Sequence, residues 1–146
     1  MQLNRAKRKD IAGYFEEIGK NNYISDPLKF VEKLNLDIAI SLSTLTFLTY
    51  FRVKSDVVIA SSEKNGRVLI AEPGHKSAIG VHLLLDHNYR TLSFFEINSP
   101  KIGCGGLMVD AVMSSLPEDW TAVVAMDYSN GFWEKMKFRH QNLEIM

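Results

Sequence analysis

The chain has 146 residues, with 17 basic and 17 acidic side chains, 46% hydrophobic and 23% charged residues, and one cysteine. That is the composition of a single globular domain spanning 1–146, large enough to be stabilised by burial alone. Balanced charge leaves no global field for phosphate backbones or anionic membranes, and a lone thiol cannot make an internal disulfide. The first ten residues hold four basic side chains but lead into no apolar signal core. The expectation is therefore a cytoplasmic protein with no nucleic-acid and no membrane partner.

The first forty residues read as helical. Ile11, Tyr14, Phe15 and Ile18 form one apolar stripe at helical spacing, which Gly19 and the Asn21–Asn22 pair end. Asp26 as N-cap and Pro27 at the first helical position announce a second short helix, with Leu28, Val31 and Leu34 on its buried side.

From Leu36 to Asn98 the period changes to two. Ile38, Ile40 and Leu42, then Phe47, Thr49, Phe51 and Val53, then Val57 to Ala60 and Val68 to Ala71 alternate or run in short β-branched stretches. This pattern predicts an antiparallel meander. Asn65-Gly66 marks one tight hairpin, and HLLLDHNYRTLSFFEIN a second, joined near Asp86 to Asn88.

After Asn98 the order becomes β-α-β-α-β. A glycine-rich loop (SPKIGCGG) leads into a helix (LMVDAVMSSL) stopped by Pro117, a strand (WTAVVAMD), a short helix (NGFWEKM) and a final strand (FRHQNLEI). Consecutive glycines let main-chain N–H groups converge on a ligand, and a helix start adds partial positive charge, which together suit a pyrophosphate. Glycines also serve any cramped strand-to-helix junction, so the loop alone has two readings. It follows a hairpin strand instead of opening the chain, and no Lys-Ser or Lys-Thr follows the glycines, so neither a Rossmann unit nor a Walker A loop is expected.

Two N-terminal helices, antiparallel strands, the glycine loop, a helix, a strand and the segment Phe132-Trp133-Glu134-Lys135-Met136-Lys137-Phe138 together resemble the GNAT superfamily of N-acyltransferases. The resemblance implies an α+β fold with a mixed, mainly antiparallel central sheet flanked by helices, and acetyl-coenzyme A as acyl donor. By the same resemblance Gly103, Cys104, Gly105 and Gly106 supply phosphate-facing amides, with Lys101 the nearby cation. The end of strand 91–98, including Ile97, would pair with the pantetheine arm. Asn130 falls near the family's pantetheine-binding Asn, and Trp133 stands beside the ligand where many members have a tyrosine acid.

Direct attack by an amine on the thioester needs a neutral amine and a donor for the developing oxyanion. Glu96 is the candidate base. Alternation with Leu92 and Phe94 puts it on their face, in an apolar run that would raise its pKa; the other reading is an outward, solvated glutamate. Tyr128 and Asp127, at the carboxyl end of strand 120–126, are alternatives for acid or substrate contacts, with Asp127 also suited to a turn or cap. Cys104 reads chiefly as a small packed residue.

His75, His82, His87 and His140 form no metal-ligand spacing, and no G-x-S-x-G elbow is present. The acceptor is a small-molecule or peptide amine of undefined class. The short final strand leaves an edge that a second copy of the chain could pair with. Because Pro100 replaces the usual cation or amide before the glycines and Trp133 cannot act as an acid, the competing reading is a catalytically silent GNAT-fold module that binds coenzyme A or a protein.

Overall fold

A computed structural model describes residues 15, 18, 20, 22–25, 31–62, 79–99, 103–124 and 131–146. Among them seven strands form one sheet in sequential order: β1 (Asn22–Ser25), β2 (Tyr50–Val53), β3 (Val57–Ser61), β4 (Gly80–Asp86), β5 (Thr91–Asn98), β6 (Thr121–Val124) and β7 (Leu143–Ile145). The described helices are α1 (Lys33–Ser43), α2 (Cys104–Ser115) and α3 (Phe132–Arg139). The fold is α+β.

The meander from β2 to β5 is antiparallel as expected. The β1–β2, β5–β6 and β6–β7 pairs are parallel, so the sheet is mixed in equal parts instead of mainly antiparallel. Parallel neighbours need a crossover, and α1, α2 and α3 provide one each.

The stretch expected to open the strands, Leu36 to Leu42, is helical instead. Its apolar residues satisfy both periods: Leu36, Ile38 and Leu42 alternate, yet Asn35, Leu36, Ile38, Ala39, Leu42 and Ser43 also cover one side of a helix, and those six are buried. Local period therefore does not decide between the two, and tertiary packing does. Phe138 and Arg139, expected in the last strand, still belong to α3. The Asn65-Gly66 hairpin, the strand over 68–71, the start of the first stripe and the Asp26-Pro27 helix start lie outside the described residues.

The register divides the sheet into two unlike faces. Phe51, Val58, Ala60, Val81, Leu83, Leu92 and Ala122 share one face and are fully buried. Crossovers β5–α2–β6 and β6–α3–β7 advance in the same direction, and right-handed connections put both helices on one side. Contacts agree: Phe94, on the buried face, packs against Trp133 of α3 at 5.0 Å, and Ser115 of α2 meets Ser41 of α1 at 2.6 Å. Lys20, itself buried, donates from Nζ to the carbonyls of Leu45 and Leu48 just past α1, and burial lowers its pKa.

Two polar anchors fix the meander. Asp86 Oδ1 accepts from the amides of Asn88 and Tyr89 at 3.0 Å, an Asx turn that closes the β4–β5 hairpin where the sequence predicts it. Fully buried Asn35 donates from Nδ2 to the carbonyls of Lys54 and Ser55 at 2.6 and 3.1 Å, which leaves Oδ1 to accept from His87 Nε2 at 3.0 Å.

Candidate functional site

The glycine turn has a separate cause at each described glycine. Gly103 is the N-cap of α2 with φ +90°, a conformation that costs any L side chain, and a Cβ there would meet nothing within 4 Å. A Cβ on Gly105 would lie 3.2 Å from the Phe132 ring, and one on Gly106 would lie 3.4 Å from Arg139 Nη2, so these two glycines admit α3 against α2. Asp110 then ties the helices together, bonding Arg139 at 2.5 Å and His140 at 2.8 Å. Cys104 is half-buried against the core. The first intrahelical bond runs from the Leu107 amide to the Gly103 carbonyl at 3.2 Å; the amides of 104–106 have no carbonyl upstream within the helix.

Among the described residues, registered pairing between β5 and β6 covers Thr91–Thr121, Leu92–Ala122 and Ser93–Val123; β5 continues to Asn98, and the chain after Val124 up to 130 lies outside the described residues. On the other side of β5, pairing with β4 passes from Leu83–Phe94 to His82–Glu96, which makes Phe95 the extra residue of a β-bulge. A bulge turns the strand and advances its register by one.

That bulge decides the orientation of Glu96. Simple alternation puts Glu96 with Leu92 and Phe94; with Phe95 inserted it shares the face of His82, opposite the helices. It is nevertheless half-buried, and burial raises its pKa above the usual carboxylate range. Ile97 returns to the helix-covered face opposite Val81 and packs against the core. Trp133 is also inside, 3% exposed, between Phe94 and Phe132. Lys101, Tyr128 and Asn130, with Asp127, lie outside the described residues.

Four residues that the sequence does not offer as site residues stand on the same face as Glu96. Arg52, Ile59, His82 and Glu96 occupy one row across β2, β3, β4 and β5, with Tyr50 in the adjoining row. Arg52 donates from Nη2 to the Tyr50 hydroxyl at 3.0 Å, while its Nε is buried without a hydrogen-bond partner. Burial, and then the positive charge of Arg52, lower the pKa of His82, which is therefore neutral at neutral pH. The exposed Phe95 ring lies edge-on to His82 at 5.1 Å. No spacing rule in one dimension brings Arg52 beside His82; only the register of three hairpin-linked strands does.

This arrangement offers two proton acceptors, a fixed cation and an apolar ring on a partly dehydrated surface. Among the described residues no group of three or more His, Cys, Asp or Glu side chains could hold a metal ion, and no helix is long and apolar enough to cross a membrane. Comparison with protein-family models, with curated proteins and with solved structures finds no match to the chain.

Proposed function

We propose that the protein is a GNAT-type N-acetyltransferase, which moves an acetyl group from acetyl-coenzyme A to an amine by direct attack. The observation that carries this reading is a β-bulge at Phe95 in a strand with a parallel neighbour, followed by a helix whose N-cap is Gly103. On this reading β5 past its last described pair with β6 receives an extended ligand arm, and the open side of Gly103 gives a phosphate access to the helix start. The packed sides of Gly105 and Gly106 leave only their amides for that purpose.

Acetyl-coenzyme A supplies an activated thioester. Glu96, with its raised pKa, and His82, neutral beside it, are suited to accept a proton from the incoming ammonium, which must be neutral to attack. A thiol is a fair leaving group at its ordinary pKa of about 8.5, so Trp133 in place of an acid is compatible with turnover.

The silent coenzyme A-binding or protein-binding module is the second reading, favoured by the burial of Trp133 against Phe94. Thiol release from acetyl-coenzyme A with a panel of amines separates the two. Turnover that falls about a hundredfold or more in a Glu96→Gln variant supports the enzyme; binding without thiol release from any amine supports the silent module.

A further inference from the structure

Tyr50, Arg52, His82, Phe95 and Glu96 lie on the sheet face opposite the described helices, and their charges are ordered. Arg52 stands on β2 and Glu96 on β5, in one row with His82 between them. At about 4.8 Å per strand their Cα atoms are about 14 Å apart. Among the described strand residues of this face, Arg52 is the one permanently charged cation.

Arg52 is also incompletely bonded. Tyr50 takes one Nη2 hydrogen, and the buried Nε has no acceptor. A buried guanidinium N–H without an acceptor is costly, and the end-on Nη1–Nη2 pair, which needs no access to the buried Nε, is a geometry that a carboxylate satisfies with two parallel bonds. The opposite end of the row is an acceptor, not a donor. A positive end and a negative end across a half-buried strip, with an aromatic ring at the side, match a zwitterion: a carboxylate toward Arg52 and an ammonium toward Glu96. A dianionic phosphate would leave one charge uncompensated against a single guanidinium.

We propose that this face binds a free amino carboxylate, an amino acid or a small relative with its carboxylate unblocked, through Arg52, and that this is the acceptor class of the acetyl transfer. As acceptor it rests on the acetyltransferase reading; as binding it stands on the row itself. In transfer, one ammonium proton passes to Glu96, the freed amine nitrogen bonds to the acetyl carbon, the carbon–sulfur bond breaks, and the second proton shed by the nitrogen goes to the departing sulfur, which leaves as the thiol.

The test first compares matched ligands on the wild-type protein, where no variant has to fold, and then assigns the preference with Arg52 variants. Calorimetry measures binding of a panel of amino acids and of their carboxamides, and thiol release with acetyl-coenzyme A measures transfer to both. The expected result is that the free carboxylate is favoured about ten- to hundredfold in binding and in kcat/KM. That preference falls toward one in Arg52→Gln and less in Arg52→Lys. Equal binding of carboxylates and carboxamides overturns the proposal, even where acetyl transfer to amines is observed. Carboxylate-selective binding that Arg52→Gln abolishes, without thiol release from any ligand, overturns the acetyltransferase reading and retains the binding site. Carboxylate selectivity unchanged in Arg52→Gln overturns the assignment to this row.

Discussion

His82 and Glu96 are register partners across the β4–β5 hairpin, on the face of the sheet opposite the described helices. Both are half-buried, and burial moves their pKa values toward each other, that of Glu96 upward and that of His82 downward. Two titratable groups side by side, each biased toward its uncharged form by burial, are the feature of this surface that structure alone does not require.

The titration of Glu96 has a sign that can be read from stability. Its folded pKa lies above its ordinary value of about 4.5, so its contribution is fully present below that pH and is lost as pH rises through the folded value. A Glu96→Gln variant lacks this loss. Thermal melts should show the variant gaining on the wild type between pH 4 and pH 7; a difference that is flat with pH, or that shrinks, contradicts the burial of this carboxyl.

His82 runs the other way. Its pKa is depressed below 6.5, so the stability it contributes is present above that value and is lost as pH falls through the folded pKa. In a His82→Gln variant the fall in stability on acidification from pH 6.5 should be shallower than in the wild type. Parallel melting curves for the two proteins over that range would show that neither burial nor Arg52 disfavours the imidazolium.

Much of the fold is written in the sequence where one local signal dominates. The Asx turn at Asp86 and Pro117 after α2 act through their immediate neighbours, and both elements form as expected. Leu36 to Leu42 fits a strand and a helix equally, and the choice falls to packing against β2 and β3. The orientation of Glu96 turns on a bulge at Phe95, a one-residue insertion that alternation cannot register. Arg52 is invisible as a site residue for a related reason: its meaning comes from His82, which is 30 positions away and two strands over.

Gly103 is required by its backbone and not by space. With φ +90° and nothing within 4 Å of a Cβ, Gly103→Ala meets no clash but pays for the left-handed conformation. Denaturant unfolding should show a loss of about 1–2 kcal/mol, and Gly103→Asn should lose less, because Asn tolerates positive φ. Equal stability of the alanine variant would mean that this turn does not hold the stated conformation.

Asn35 holds α1 to the β2–β3 turn and to His87 through three hydrogen bonds from a fully buried position. Asn35→Ala leaves two carbonyls and an imidazole N–H to find other partners. The expected cost in equilibrium unfolding is about 1–3 kcal/mol; a change within experimental error would remove this anchor from the account.

The central claim is that the backbone of β5 beyond Ser93, past its last described pair with β6, receives the arm of acetyl-coenzyme A. Amide hydrogen exchange with and without acetyl-coenzyme A tests it at residue level. The account predicts slowed exchange over Phe94–Asn98 and at the start of α2, with little change across β2 and β3. Unchanged exchange over Phe94–Asn98 at saturating acetyl-coenzyme A would contradict it.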